Sequence, residues 1–307
     1  MLLDIVFQSG EFYGQTASSS WITQYGPLIA VASGFTLLFI QTWLGRWKER
    51  RQKKEEEKNS LTYFIALLGR VIKIVEKQLV SYEEHAVNIN KEPFGRHLMQ
   101  VYIAEDLNRI IRLLNDDKIF HAYIGKFGNG DQSILDFQNV VGQLDLIHAI
   151  YEQANTSQKN HLSDLIERLE RYKDLSEEKV LNYSAGLANF IKQNDPEKAK
   201  SDPFYALLNE SVGDYHKNAP KPLTIEYLQI CFINPLKEKL VEKFRNNIEG
   251  MEIANNCRKA TWLYNETISK SKVSSEEFKS HCNTFKDALE TLKKGHSILL
   301  KPIGPSN

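Results

Sequence analysis

Hydrophobic positions recur along this chain in two ways, first as one continuous run and then periodically. No charged residue occurs between Glu11 and Arg46, and Leu28-Ile29-Ala30-Val31 and Phe35-Thr36-Leu37-Leu38-Phe39-Ile40 form the densest parts of the run from Trp21 to Leu44. About 20 apolar residues rising 1.5 Å each cross a hydrocarbon core of about 30 Å. Residues 21–44 are therefore expected to form a transmembrane helix. Trp21 and Tyr25 at one end, with Trp43 and Trp47 at the other, occupy the interfacial positions that aromatic rings prefer. A cleaved signal peptide fits poorly, because Met1 to Ser20 lacks a basic residue, carries Asp4 and Glu11, and precedes the apolar run.

Beyond Ser60 the pattern becomes periodic. Leu61, Ile65, Leu68, Ile72, Val75, Leu79 and Tyr82 alternate steps of four and three, a heptad seam about three heptads long. Taken alone, that seam predicts a parallel coiled coil. Phe64, Leu67, Val71 and Ile74 add a second apolar stripe, however, and so broad a face favours burial in a helical bundle. Leu98, Val101, Tyr102, Leu107, Ile110, Ile111 and Leu114 predict a further amphipathic helix, and Ile134, Phe137, Val140, Val141, Leu144, Ile147 and Tyr151 another. Leu162, Leu165, Ile166, Leu169 and Tyr172 continue on a narrower stripe, with Asp164–Arg168 and Glu167–Arg171 as i,i+4 pairs on the polar side. No stretch sustains period two, so the fold class is all-α: one N-terminal transmembrane helix followed by a cytosolic multi-helix bundle.

Punctuation divides the chain further. Lys91-Glu92-Pro93-Phe94-Gly95 and the stretch from Gly125 to Gly130 break successive helices, with Asp131 or Ser133 expected to cap the next one. Asn234-Pro235 has the form of an N-cap followed by proline at the first helical position, so one helix is expected to end near Phe232 and another to begin there. The resulting organisation is an extracytoplasmic segment (1–20), the transmembrane helix (21–44), a basic, charged juxtamembrane stalk (45–60), a cytosolic helical domain (61–300) and a C-terminal tail (301–307). The Pro-containing stretch at 194–203 is either a subdomain break or a turn within one bundle.

Charge fixes the expected orientation. The 39 basic and 39 acidic residues cancel, so no global field draws the chain toward nucleic acid. Arg46, Lys48, Arg50, Arg51, Lys53 and Lys54 nevertheless crowd the C-terminal side of the span, and no Lys or Arg precedes it. The positive-inside rule puts the N-terminus outside and the C-terminal domain in the cytoplasm, at the inner membrane of a bacterial cell. The same basic residues are expected to lie against anionic lipid headgroups. Cys231, Cys257 and Cys282 are too widely spaced for a paired thiolate site and too few for a disulfide framework, so they read as reduced thiols.

Within the span Gly26, Ala30 and Gly34 recur every four residues and form one small-residue strip. Such a strip either brings two membrane helices close together or reflects the ordinary Gly and Ala content of membrane helices.

Tests for chemistry are negative. Gly125-Lys126-Phe127-Gly128-Asn129-Gly130-Asp131 is glycine-rich but lacks the G-x-x-x-x-G-K-S/T order and follows a helix, not a strand. Asp145 and His148 have i,i+3 spacing, yet a di-iron bundle needs a second such pair and two more carboxylates. Glu83-Glu84-His85 and His281-Cys282 lack ligand geometry, and Arg96-His97 and Arg112 with His121 miss the four-to-six-residue Arg–His spacing of helical ribonuclease modules. No catalytic, cofactor-binding or metal-binding residue is assigned, an enzyme is not expected, and no basic stripe interleaved with aromatics suggests a nucleic-acid partner.

In layout alone the chain resembles bacterial membrane-anchored helical proteins, some of which act as effectors or sensors in anti-phage (antiviral) defence. Two functions follow as expectations. One is a single-pass membrane-anchored scaffold or sensor that binds a cytosolic protein partner. The other is a self-associating, pore-forming effector that perturbs the membrane.

Overall fold

The computed structural model describes residues 21–102, 105–114 and 117–301, with side chains from Ser33 onward. Among these residues every regular element is helical. The α-helices are α1 (Trp21–Lys91), α2 (Glu105–Leu114), α3 (Asp117–Phe127), α4 (Asp131–Lys173), α5 (Tyr183–Asn194), α6 (Pro196–Ser201), α7 (Pro203–Lys217), α8 (Ile225–Leu228), α9 (Asn234–Lys243) and α10 (Ile248–Leu299). Two π-helical segments, Asp174–Asn182 and Gln229–Ile233, join α4 to α5 and α8 to α9. The chain is all-α and falls into two compact units, Met1–Ser60 and Leu61–Asn307.

In the first unit the described side chains from Ser33 to Glu56 are all exposed. The second unit is built on α4 and α10, which run antiparallel. Ser157 on α4 donates to Glu277 of α10 at 2.5 Å, and one turn further along α4 His161 is hydrogen-bonded to Ser274 at 3.0 Å. From Leu61 onward α1 lies against α10, also antiparallel, with ion pairs Glu76–Lys293 (3.0 Å) and Glu83–Lys286 (2.5 Å) along the contact. The 52 residues of α10 extend about 78 Å, enough for one helix to serve two separate cores.

The first core joins α1, α2, α3, the start of α4 and the end of α10. Leu61, Leu68, Ile72, Val75 and Tyr82 of the heptad seam are buried in it, Ile65 and Leu79 are half-buried against it, and Phe64, Leu67 and Val71 are buried beside them. The seam and the second stripe therefore face partners within the same chain. Phe64 packs near Phe137 of α4, and Tyr82 meets Phe285 of α10 edge-on with ring centroids 5.3 Å apart. The second core gathers the end of α4, both π segments, α5 and α7 to α9, and the start of α10. Ala188 and Phe204, on either side of 194–203, share this second core. Asp195 and Asp202 cap α6 and α7 by accepting from Lys198 N and Phe204 N, so that stretch turns the chain back without dividing the bundle.

Three local expectations need correction. The helix holding Ile110 starts at Glu105, and residues 96–102 are irregular, so Leu98, Val101 and Tyr102 are not part of it. Side chains of α1 take the backbone partners that a helix would have used there. Gln78 Nε2 and Ser81 Oγ both donate to Gln100 O (3.2 and 2.7 Å), and Tyr102 N donates to Gln78 Oε1 (2.9 Å). At the start of α4, Gly130 holds the N-cap position without a side-chain bond, and Ser133 Oγ reaches back to Phe127 O. Finally, Asn234 does not stop a helix, because the chain passes helically from Gln229–Ile233 into α9. Pro235 has no N–H and its ring crowds the carbonyl four residues back, and the wider π turn just before it relieves both conflicts.

Candidate functional site

The residues singled out in the sequence lie in different surroundings. In the first unit Phe35, Phe39 and Trp43 are 69%, 72% and 60% exposed, and Arg46, Lys48, Arg50, Arg51, Lys53 and Lys54 follow on fully exposed helix. The Arg51 guanidinium stands 5.6 Å from the centre of the Trp47 ring, near enough for a cation–π contact. A Cβ built on Gly34 would meet nothing within 4 Å. The side chains of residues 21–32, Gly26 and Ala30 included, lie outside the described residues. Among the described residues no helix is long and apolar enough to cross a membrane. Side chains are described only for the Ser33 to Leu44 part of the apolar run, 12 residues that extend about 18 Å as helix.

In the second unit the residues tested for chemistry are held singly. His148 Nε2 faces Asn108 Oδ1 at 3.3 Å, His97 Nε2 lies 2.9 Å from Glu92 O, and Glu83 is paired with Lys286. The glycine-rich turn ends α3 at Gly128, whose φ of +87° is the left-handed conformation that glycine adopts freely. Among the described residues no three His, Cys, Asp or Glu side chains converge as metal ligands. Cys257 and Cys282 are buried, and loss of solvation pushes their thiols up to about 12 and about 11, so both stay protonated and unreactive. Cys231 is the exposed one.

Two features that the sequence reading missed stand out. One is a polar belt across the second unit, where α4 and α10 pass between the two cores. Gln158, His161 and Arg168 on α4 and Thr267, Ser271 and Ser275 on α10 are all buried. The α10 hydroxyls turn to main-chain carbonyls: Thr267 donates to Leu263 O (2.8 Å), Ser271 to Pro93 O (3.0 Å) and Ser275 to Ala86 O (2.7 Å). At the edge of the belt His85, 2% exposed, lies edge-on to Phe278 with centroids 4.7 Å apart, and neither of its ring nitrogens has a protein partner. Desolvation, then His161 and His97, lowers its pKa to about 4, so the ring is neutral at physiological pH. The signal was present: Gln78, Ser81 and His85 interrupt the apolar face of α1 at steps of three and four, and Thr267, Ser271 and Ser275 follow one another on α10 at steps of four.

The other feature is a groove of about 770 Å³ at the end of the first core, between α1 and the last turns of α10. Ile65, Ile72 and Leu299 supply apolar wall, and Arg70, Lys73 and Lys126 stand around it. Gly69 lets α10 approach closely, since the His296 ring lies 3.2 Å from where a Cβ would be, and His296 Nε2 donates to Ile65 O at 3.2 Å. Comparison with family models, with curated proteins and with solved structures found no match to this chain.

Proposed function

We propose that this chain is a single-pass membrane-anchored helical scaffold or sensor that works by protein–protein interaction, with its N-terminus outside and residues 61–300 forming a cytoplasmic bundle. The observation that carries the reading is the exposure of Phe35, Leu38, Phe39 and Trp43, directly followed by six exposed basic residues from Arg46 to Lys54. Large apolar side chains in one continuous stretch need a cover other than water, and lipid tails bordered by anionic headgroups supply it. In sequence, no charged residue occurs from Gln15 to Gly45. On this reading the second unit is the part that meets a cytosolic protein, and it acts without catalysis.

Cysteine labelling in intact cells tests the topology. In a Cys231→Ser background, a probe cysteine replacing Ser18 is labelled from outside, whereas one replacing Asn307 reacts only after permeabilisation. Labelling of both positions without permeabilisation, or of neither, overturns the proposal.

Self-association through Gly26, Ala30 and Gly34, leading to a membrane-perturbing oligomer, is the second reading. It is favoured by the open backbone face at Gly34, where a neighbouring helix meets no side chain. Anti-phage defence is one setting for such an oligomer and rests on layout alone.

A further inference from the structure

The groove beside α10 carries an unbalanced charge over an apolar floor. Three cations, Arg70, Lys73 and Lys126, line it against one carboxylate, Glu76. That carboxylate is already held by Lys293 at 3.0 Å, and Arg70 is neutralised by Asp106 at 3.1 Å. Lys126 Nζ donates to the carbonyl of Leu299 at 2.9 Å, a neutral acceptor, and has no ion pair among the described residues. Lys73 has neither a hydrogen bond nor an ion pair among them and is exposed. Two positive charges thus border Ile65, Ile72 and Leu299 without a counter-charge, and complementarity calls for an anion joined to an apolar body.

Size separates the kinds of occupant. About 770 Å³ is in the range of small-molecule sites, about 300–1,000 Å³. A helix about 11 Å across fills about 500 Å³ per turn, so the groove would hold only about a turn and a half of a partner helix, too little for a stable helix-in-groove contact. We propose that the groove binds a long-chain fatty-acid anion, with its acyl chain along Ile65, Ile72 and Leu299 and its carboxylate between Lys73 and Lys126. The proposal does not depend on membrane anchoring, because the groove belongs wholly to the second unit.

Photocrosslinking of the full-length chain in mild non-ionic detergent tests it, with palmitate carrying a diazirine in its chain and the labelled peptides mapped by mass spectrometry. Label is expected on peptides holding Ile65, Ile72 or Leu299, and excess unlabelled palmitate should suppress it. The double charge reversal Lys73→Glu/Lys126→Glu lowers labelling about tenfold or more, whereas Lys73→Arg/Lys126→Arg keeps it. Ala66→Trp, which fills the groove from an exposed position on α1, abolishes it, and circular dichroism of each variant should match the parent. Equal labelling by the corresponding uncharged alcohol, or labelling unaffected by charge reversal, overturns the proposal. Suppression by phosphatidylglycerol but not by palmitate also overturns it, and assigns the groove to bilayer phospholipid instead.

Discussion

Replacing His85 by leucine should stabilise the protein at neutral pH and flatten its response to acid. His85 is buried, its two ring nitrogens have no protein partner, and it faces His161 from α4, His97 from the irregular segment and Phe278 from α10. Its pKa falls from 6.5 to about 4 in the folded protein. Between those values the unfolded chain binds a proton that the folded chain refuses, so stability is complete above about pH 6.5 and declines as pH falls toward 4. The full shift corresponds to about 3 kcal/mol, and relaxation of the surroundings around a charged ring reduces this to about 2 kcal/mol. Leucine has no protonated form and no unpaired nitrogen. His85→Leu should therefore remove about 2 kcal/mol of the acid loss and add about 1–2 kcal/mol at pH 7.5. The acid response does not vanish, because desolvation and Arg168 also lower the pKa of His161. Urea denaturation followed by far-ultraviolet circular dichroism at pH 7.5, 5.5 and 4.5, on the full-length chain in mild detergent, measures both effects. A variant that is less stable than the parent at pH 7.5 by more than about 1 kcal/mol, with an unchanged pH slope, would refute the reasoning, since it would mean that the ring nitrogens are well bonded.

Substitutions at two glycines, each with a control, test packing. By mass photometry in detergent, Gly34→Leu should reduce the size of the particle if the small-residue strip is a helix contact, and Leu37→Ala should not. Equal masses for the parent and Gly34→Leu would remove the support for oligomerisation through this strip. In the first core, a Cβ on Gly295 would collide with Val140 Cγ2 of α4, so Gly295→Ala should cost about 1–3 kcal/mol by thermal denaturation. Val140→Ala in the same chain should restore part of that loss, and additive losses would show that the collision is relieved some other way.

The all-α class and the burial of the seam were legible in the sequence, because helical periodicity is a local property that survives whatever the helix packs against. Of the narrow α4 stripe only Leu165 and Tyr172 are buried, and Arg168, expected on the polar side, is buried between them. Leu61, Leu68, Ile72 and Val75 are buried as their spacing required, and Asp164–Arg168 and Glu167–Arg171 lie within ion-pair range at 3.9 Å each. What the seam packs against was a different matter. A heptad face is equally suited to a second copy and to a helix far along the same chain, and only tertiary structure placed α10, more than 180 residues later in sequence, against it.

Local rules failed where a distant side chain outbid them. Leu98, Val101 and Tyr102 have helical spacing, but Gln78 and Ser81 supply hydrogen bonds to that backbone in its irregular form. Asn234-Pro235 has the pattern of a helix start, yet Asn234 Oδ1 accepts from Gln229 Nε2 at 2.8 Å and from Thr261 of α10, inside a helix that continues through it. The groove had no sequence signature at all, since Lys73, Lys126 and Leu299 come from three helices and are ordinary residues in each. The sequence alone determined that the regular elements are helices and where most of their apolar positions fall, because each turn of helix closes its own hydrogen bonds with near neighbours. Tertiary structure decided the partners of those faces, the polar belt and the charged groove, because burial and charge balance are summed over side chains that the sequence keeps far apart.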